Sequence, residues 1–542
     1  MKRLLFFKND VTYLTNPLFF DILKKHLIYC KSFGEFFMAQ EKKKNGFASA
    51  IGFILAAAGS AVGLGNLWAF PYKVSANGGA AFVLVYIASI LLIGLIAMIA
   101  EILLGKRSQA NTVTAFKKIH PKIGWIGVAM IAIPFLITCY YSVLGGWTLR
   151  YAVNSFATGD NANALSFSSF TSNAFKPVLF TFLFLALTAI IIKSGVKSGI
   201  EKASKVLMPT LFLILVAITI FCLCLGEGVT KGLNYYLNPN FAELGFDGVL
   251  AAMSQAFYSL SLGMGIMVCY GSYTGNQMNL GKSAVMISVF DTIIALLCGL
   301  AIFSALGALD PDSLTKAQGP SLLFVILPKI FQEMGGIGTI VSFLFFAMVA
   351  IAALTSVISL VEVSAQFAIQ KFKLNRIKAT LTVCLVCFLL SIPVTWSVGG
   401  AFDGAISVFG FDLLTFLDEM TNTVLMPLGA MGSCIAMGWL LDKKITANPM
   451  KTLETLREEG LSLGKIEKVY VVMLKYVTPL IIFFMDIMGI ITKIRVNPSY
   501  WWIIGASLFL IGLAVAVYFL FLKNTETGTN ADEQIDNAKE QE

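Results

Sequence analysis

The chain has 542 residues, of which 57% are hydrophobic and only 13% are charged. This balance excludes an ordinary soluble protein of that length and predicts a membrane protein that crosses the bilayer several times. The net charge of +9 does not indicate nucleic-acid binding, because the basic residues lie in short segments between the apolar stretches.

Residues 1–43 fit a membrane-spanning plan poorly. Their apolar patches, such as Leu4–Phe7, are too short to cross a bilayer and are followed by charged residues such as Lys8 and Asp10. Two interpretations of this N-terminal cytoplasmic segment remain open. It is either an over-extended start or a disordered tail, with Met38 as a more natural first residue, or an amphipathic segment on the membrane surface.

Twelve later apolar stretches are long enough to cross a bilayer as helices. They lie near residues 48–72, 79–105, 123–150, 177–193, 203–225, 248–274, 283–308, 338–370, 377–397, 412–441, 468–491 and 499–522. The loops after the second, fourth, eighth and tenth spans are rich in lysine and arginine, which mark the cytoplasmic side of a membrane. We therefore expect a multi-pass protein of the inner (plasma) membrane with both termini in the cytoplasm.

The first apolar stretch is interrupted at residues 59–71, which read GSAVGLGNLWAFP. Three glycines, an asparagine and a proline near the middle of a membrane helix argue against a continuous helix. Such a break frees carbonyl and amide groups near the bilayer centre, where they can bind a cargo instead of one another.

A second break is predicted at residues 259–265, which read SLSLGMG within the sixth span. If the chain is divided after the fifth span, both breaks fall in the first helix of a five-helix set. Because five is odd, the second set is inverted relative to the first, which predicts an inverted-repeat transporter with its site at the membrane midplane. Glycines also serve close helix packing, but these cluster with Asn66, Ser259 and Ser261 rather than repeating at GxxxG spacing.

Four motifs in separate spans carry a resemblance to a known family. They read AGSAVGLGNLWAFPY, CYYSVLGGWTL, SLSLGMG and AALTSVISL, in the first, third, sixth and eighth spans. Over residues 44–522 the chain closely resembles the neurotransmitter:sodium symporter family, in its prokaryotic amino-acid transporter branch. The resemblance implies an all-α fold of 12 transmembrane helices, with a 5+5 inverted repeat of the leucine-transporter type and discontinuous first and sixth helices. It also implies sodium-driven uptake of an amino acid, with no enzymatic activity and no organic cofactor.

The resemblance further implies two sodium sites made of oxygen ligands, which suit this hard cation. By motif position, site one would use Ala61, Asn66, Ser259 and Asp291. Site two would use Gly59, Val62, Ala352, Thr355 and Ser356. The alternative for the Thr-Ser pair is that its hydroxyls bond back to their own helix, as they often do in membrane helices.

Asp291 stands where many relatives have an asparagine. A charge inside the membrane costs roughly 2.5–3.5 kcal/mol on insertion scales and tends to be functional. In chloride-dependent relatives a halide supplies negative charge near this position, so we expect Asp291 to make transport independent of chloride. The alternative is a protonated or water-facing aspartate with a structural role.

The substrate site implied by the resemblance lies beside both breaks. Amides at Leu64 and Gly65 and the Tyr141 hydroxyl would bind the substrate carboxylate, and carbonyls near Ala61 and Ser259 its ammonium group. The remaining candidates are Ser60, Ile137, Tyr258, Ser261, Met264, Ser356 and Leu360. None of these residues is charged, which favours a neutral amino acid with an apolar or aromatic side chain.

The predicted outer gate departs from the family pattern. Many relatives place an arginine two residues before the proline of the first break, paired with an aspartate in the tenth span. Here the two positions are Ala69 and Asp418, so that ion pair cannot form. We expect closure to rely on Tyr258 and Tyr141 above the substrate, with Asp418 left to water or to Lys73.

The predicted inner gate also departs from the pattern. Lys44 and Phe47 fall near the family's basic and aromatic N-terminal latch, but Gln370 replaces the acid expected in the eighth span. Gly199 and Pro209 in the fifth span resemble a motif that lets the helix unwind and admit water to site two. A loop glycine and an ordinary helix-start proline are the alternative for this pair.

The predicted organisation has five parts. They are the segment 1–43, a first repeat (44–225, helices 1–5), a second repeat (226–441, helices 6–10), a cytoplasmic loop with helices 11–12 (442–522), and a disordered acidic cytoplasmic tail (523–542). The expected partners are a neutral amino acid and the lipid bilayer, and both a monomer and a homodimer remain open. A proton-coupled permease of the same architecture and a non-transporting amino-acid sensor remain alternatives to sodium symport.

Overall fold

The computed structural model describes residues 46–157, 167–275, 278–314, 322–398, 402, 405–441, 449–458 and 463–523. The predicted segment 1–43, Lys44 and all but the first residue of the predicted tail lie outside these ranges. The described residues are almost entirely helical. One small antiparallel hairpin pairs Ser407 with Asp412 and Val408 with Phe411.

The helices and strands are numbered here in chain order. They are α1 (Ala50–Ala61), α2 (Gly65–Ala76), α3 (Ala80–Ser108), α4 (Thr112–Ile119), α5 (Gly124–Asn154), α6 (Phe167–Thr171), α7 (Lys176–Ile192), α8 (Val196–Leu223), α9 (Val229–Leu237), α10 (Phe241–Ser259), α11 (Ile266–Ser272), α12 (Leu280–Leu309), α13 (Leu322–Gln332), α14 (Gly336–Phe372), α15 (Arg376–Ser397), β1 (Ser407–Val408), β2 (Phe411–Asp412), α16 (Leu413–Leu440), α17 (Pro449–Glu458), α18 (Glu467–Val496) and α19 (Pro498–Leu522). Single 3₁₀ turns lie at Pro311–Ser313 and Gly464–Ile466.

The twelve predicted spans can be matched to these helices. Within the described ranges, nine helices are long and apolar enough to cross a membrane, and α1 with α2 forms a tenth span that bends by 48°. The fourth predicted span is α7, an apolar helix of 17 residues. The sixth is divided into the half-helices α10 and α11. Every predicted span therefore coincides with one helix or with one broken pair.

The first break is shorter than the sequence predicts. Only residues 62–64 separate α1 from α2, and α2 opens with a π-helical turn at Gly65–Ala69. Pro71, predicted to be part of the break, lies instead at the start of the α-helical stretch that follows. Because Pro71 lies six residues inside α2, its missing N–H leaves one carbonyl of the preceding turn without its helical bond.

The second break depends on backbone conformations that only certain residues adopt easily. Ser261, Gly263 and Gly265 have φ angles of 54°, 75° and 69°. A Cβ atom at Gly263 would lie 1.9 Å from the Met426 carbonyl oxygen, so the α16 backbone approaches too closely for a side chain. The Gly263 N–H donates to Oε1 of the buried Glu101 at 2.8 Å, which satisfies an amide that the break exposes.

The two broken spans lie at the centre of the helix packing. The long helices α5 and α14 pack along each other, and α1 packs against α8, α12 and α14. The half-helix α11 packs against α3. The unpaired backbone groups of both breaks are therefore enclosed by protein, which is where a membrane protein can tolerate irregular backbone.

Candidate functional site

A small cavity lies between the two breaks. It is lined by Ser60, Ala61, Gly63, Gly65, Ile137, Tyr141, Tyr258, Ser261, Met264, Ile266, Ser356 and Leu360. Of the predicted substrate residues, Leu64 and Ser259 are not in the lining, because they contact neighbouring protein groups instead. Gly63 and Ile266 are additional. The sequence had placed both in or beside a break without assigning them a role.

One end of the cavity is suited to an anion. The Leu64 N–H, at the start of the second half-helix, donates to the Tyr141 hydroxyl at 2.7 Å. A Cβ atom at Gly63 would lie 2.5 Å from both the Tyr141 and Ser356 hydroxyls, so glycine lets these groups approach the break. Helix N-terminal amides and the helix dipole favour negative charge at this point.

A group of serine hydroxyls connects α1, α14 and the second break beside the cavity. Ser261 Oγ and Ser356 Oγ donate to the Ser60 carbonyl at 2.9 and 3.1 Å. Ser359 Oγ lies 2.6 Å from Ser60 Oγ and is fully buried. Ser359 was not predicted. Its spacing of three residues from Ser356 places both hydroxyls on one face of α14, and that spacing was visible in the sequence.

Three of the four residues predicted for site one are in direct contact. Asn66 Nδ2 donates to Asp291 Oδ1 at 2.7 Å, and Ser259 Oγ donates to Asp291 Oδ2 at 2.6 Å. All three side chains are fully buried, and Asn66 Oδ1 has no hydrogen-bond partner. Ala61 is the last residue of α1, where helix carbonyls lack internal partners. An unpaired amide oxygen beside a carboxylate fits a cation such as sodium.

Tyr86 was not predicted but belongs to the same cluster. Its hydroxyl lies 3.0 Å from Ser259 Oγ and 3.3 Å from Asp291 Oδ2. The side chain comes from α3 and is fully buried. No signal in the sequence distinguished this residue, because a tyrosine in an apolar helix usually contributes packing alone.

The residues predicted for site two lie where α1, α8 and α14 approach one another. A Cβ atom at Gly59 would lie 3.2 Å from Met208 Sδ and 3.3 Å from Thr355 Cβ. Val62 and Ala352 are fully buried. Thr355 Oγ1 has the Ile351 and Ala352 carbonyls at 3.2 and 3.0 Å, which is the back-bonded geometry expected of a membrane threonine. Donation uses only the proton of the hydroxyl and leaves its lone pairs free for a cation.

At the predicted outer gate, Asp418 and Lys73 each make a hydrogen bond to an amide side chain. Ala69 is buried within α2, and Asp418 Oδ1 accepts from Asn422 Nδ2 at 2.6 Å. Lys73 Nζ donates to Gln255 Oε1 at 2.8 Å. Gln255 Nε2 in turn donates to the Gly65 carbonyl at 2.8 Å, which connects Lys73 to the start of α2. Gln255, one turn before Tyr258, was not predicted.

The predicted inner gate is partly described. The Phe47 N–H donates to the Tyr273 carbonyl at 3.1 Å, and the Phe47 ring packs 5.5 Å from the Tyr270 ring. Gln370 Oε1 accepts from Asn111 N–H and Nδ2 at 2.7 and 2.8 Å. Gln370 therefore holds the start of α4. A carboxylate could accept the same two hydrogen bonds, so these contacts do not explain the departure from an acid.

Gly199 and Pro209 both lie inside α8. Gly199 is within a π-helical turn at Val196–Glu201, and Pro209 follows in the α-helical part. A Cβ atom at Gly199 would lie 2.1 Å from the Ile191 carbonyl oxygen, so a side chain does not fit. The alternative of a loop glycine with a helix-start proline is therefore wrong. A π-helical turn near a proline is a weak point in a helix.

Comparison with known proteins agrees with this geometry. The description of the matching family model is "Sodium:neurotransmitter symporter family", and it covers residues 44–161 and 163–524. The chain belongs to this family. It is 36% identical over 472 residues to an uncharacterized sodium-dependent transporter, YhdH, of Bacillus subtilis, covering 83% of this chain and 99% of that protein. It is also 26% identical over 439 residues to the sodium-dependent neutral amino acid transporter B(0)AT3 of Rattus norvegicus, covering 64% and 71%.

A solved structure gives the same result for the fold. The crystal structure of MhsT in complex with L-phenylalanine matches with a TM-score of 0.74 and 36% sequence identity, over 82% of this chain and 99% of that one. The expected leucine-transporter fold, with its inverted repeat and two discontinuous helices, is thereby confirmed. The protein is a sodium-dependent membrane transporter and not an enzyme.

Proposed function

We propose that this transporter imports a neutral amino acid with an apolar or aromatic side chain, together with sodium, by alternating access. The observation that carries the proposal is the cavity between the breaks, whose lining includes no charged side chain. An acidic or basic substrate would leave its own charge unpaired there. The phenylalanine in the MhsT complex and the neutral amino acids named for the rat relative support the same substrate class.

The substrate carboxylate would bind at the Tyr141 end of the cavity. Its oxygens can accept from the Tyr141 hydroxyl and from the amides that begin α2. Carbonyls at Ala61 and Ser259 would hold the ammonium group. Ile137, Met264 and other apolar residues of the lining then surround the substrate side chain, and Tyr258 covers it.

Two sodium ions would move with each substrate molecule. Site one offers the unpaired Asn66 Oδ1, the Ser259 hydroxyl and the Asp291 carboxylate, whereas site two offers carbonyls and the Thr355 hydroxyl. Each sodium that moves inward contributes roughly 2.3 kcal/mol per 100 mV of membrane potential. Joint occupancy by sodium and substrate would favour the closed state that leads to release inside.

Chloride would not be needed. The Asp291 carboxylate already places a negative charge beside site one, at the end of the Asn66 and Ser259 hydrogen bonds. Its charge compensates a bound cation without a halide.

The loops rich in lysine and arginine support an orientation with both termini in the cytoplasm of a cell with an inner (plasma) membrane.

Uptake into proteoliposomes tests this proposal. The purified protein, in vesicles with an inward sodium gradient, is expected to accumulate radiolabelled tyrosine or tryptophan. Unlabelled neutral amino acids should compete, whereas lysine and glutamate should not. Accumulation driven by a proton gradient in sodium-free buffer would favour the permease instead, and binding without accumulation would favour the sensor.

A further inference from the structure

Glu201 is a buried carboxylate outside the substrate and sodium sites. It lies in the π-helical turn of α8 and is only 2% exposed. It accepts hydrogen bonds from the Ala48 N–H at 2.6 Å, from Ser49 Oγ at 2.9 Å and from Lys205 Nζ at 2.6 Å. Two of these three partners, Ala48 and Ser49, therefore precede α1, and Lys205 lies on α8 together with Glu201.

The start of α1 is built around this carboxylate. A Cβ atom at Gly52 would lie 2.2 Å from Glu201 Oε1, so the absence of a side chain makes room for the carboxylate. Ser49 is the N-cap of α1 and accepts from the Gly52 N–H at 3.0 Å while it donates to Glu201. A negative charge at a helix N-terminus is further stabilised by the helix dipole.

The other end of α1 carries residues of site two. Gly59 and Val62 lie at or just beyond the end of this 12-residue helix, which is about 18 Å long at 1.5 Å per residue. A helix of that length moves as one body. Separation of its first turn from α8 would therefore also pull Gly59 away from Thr355 and Met208, which are its close neighbours in α14 and α8.

We propose that Glu201 is the positioning residue that holds α1 against α8 in the state closed to the cytoplasm. It must release α1 before sodium and substrate leave on that side. The inference rests on the proposed function and assigns the inner closure to a carboxylate on the fifth span. Glu201 holds α1 in place. Gln370 does not hold α1, because its side chain is bound to Asn111 at the start of α4.

Lys205 makes the release reversible. It lies one turn after Glu201 on α8, and its side chain is 42% exposed. When α1 moves away, Lys205 stays beside the carboxylate, so the charge is not left buried and unpaired, a condition that is strongly destabilising. Glu201 therefore favours the closed state through α1, and Lys205 favours the open state by stabilising the released carboxylate.

Hydrogen–deuterium exchange of residues 47–61 in sodium tests the proposal on the purified full chain. Glu201→Gln should speed exchange of this segment by about tenfold, since hydrogen bonds to a charged group are worth more than neutral ones. It should also raise the sodium concentration for half-maximal uptake. Lys205→Gln should do the opposite, with slower exchange and slower turnover. Lys202→Gln, at an exposed neighbouring lysine, is the matched control and should resemble the wild type.

Opposite changes in the exchange rate for Glu201→Gln and Lys205→Gln would distinguish a latch on α1 from a simple helix cap. If Glu201→Gln keeps wild-type protection, or if both variants shift exchange in the same direction, the proposal is overturned. Glu201→Asp keeps the charge and the Ser49 cap but shortens the reach to the Ala48 N–H, and it gives a milder test if Glu201→Gln folds poorly. A wild type that does not accumulate amino acids would overturn the proposed function, whereas the exchange measurement would still decide the role of Glu201.

Discussion

The proposed sodium sites one and two both use residues of the first helix break, yet they are built differently. Site one contains the Asp291 carboxylate, which accepts hydrogen bonds from Asn66 and Ser259 and has the Tyr86 hydroxyl nearby. Site two contains carbonyls and hydroxyls without a charged side chain, and Thr355 is bonded back to its own helix. In the proposed arrangement a cation would meet the Asp291 carboxylate at site one and only dipoles at site two.

This difference indicates how each site depends on its surroundings. A carboxylate attracts a cation over several ångströms, so we expect site one to tolerate small movements and to need no halide. Carbonyl and hydroxyl dipoles act only at close range, so site two depends on α1, α8 and α14 remaining together. Because Glu201 holds α1 on α8, we expect site two to lose its ion first when α1 moves.

The largest effect is expected at site one from Asp291→Asn. At about 4 Å and an effective dielectric of about 20, the lost attraction is on the order of 4 kcal/mol, so uptake in chloride-free buffer should fall on the order of 100-fold or more. Chloride should restore part of the activity by replacing the missing negative charge. Sodium-driven uptake in chloride and in gluconate measures both effects.

Asp247→Asn is the control for that substitution, because Asp247 is exposed and, within the described ranges, accepts one hydrogen bond, from Thr492. It should transport like the wild type in both buffers. Undiminished uptake by Asp291→Asn in gluconate would show that the two ion sites do not differ in the way described.

At site two, Thr355→Val should raise the sodium concentration for half-maximal uptake by about tenfold, since one uncharged ligand is worth about 1 kcal/mol or slightly more. Substrate affinity at saturating sodium should stay the same, and chloride should not rescue the variant. Thr188→Val is the matched control, because Thr188 is a buried threonine with the same back-bond on α7. Equal effects of both substitutions would mean that Thr355 acts through helix stability alone.

Tyr86→Phe should weaken site one by about threefold in sodium affinity, because it removes one neutral hydroxyl from the carboxylate cluster. The Tyr236 hydroxyl donates to the Leu296 carbonyl instead, so Tyr236→Phe removes a buried hydroxyl outside both sites. Sodium titration of uptake compares the two variants. A larger loss for Tyr236→Phe would contradict the assignment of Tyr86 to site one.

The smallest effect is expected from Lys73→Met. Lys73 is linked through Gln255 to the Gly65 carbonyl, next to Asn66 of site one, so we expect about a twofold change in sodium affinity and a changed rate of substrate entry. Lys231→Met, at an exposed lysine, serves as the control. A loss of uptake as large as that of Asp291→Asn would mean that Lys73 contacts a bound ion or substrate directly.

Much of the fold was predictable because membrane spans and helix breaks have strong signals in the sequence. Apolar length located all twelve spans, and glycines with polar neighbours located both breaks. Pro71 was placed wrongly, because it lies inside α2, after the π-helical turn that follows the break. The π-helical turn around Gly199 left no local signal that separated it from a loop.

The candidate site was predictable where residues belong to the breaks or to family motifs. Tyr86 and Gln255 were not, because each lies in an ordinary helix and gains its role from residues that are distant in the chain. The contact of Glu201 with Ala48 joins positions 153 residues apart, and only the packing of α1 on α8 reveals it. Pairings of this kind depend on tertiary structure rather than on local pattern.

The most direct test is sodium-driven uptake of a neutral amino acid by the wild type with all chloride replaced by gluconate. If the carboxylate of Asp291 supplies the charge at site one, the initial rate and the sodium dependence should be the same in both anions. A wild type whose uptake collapses without chloride would contradict the proposed charge difference between the two sites.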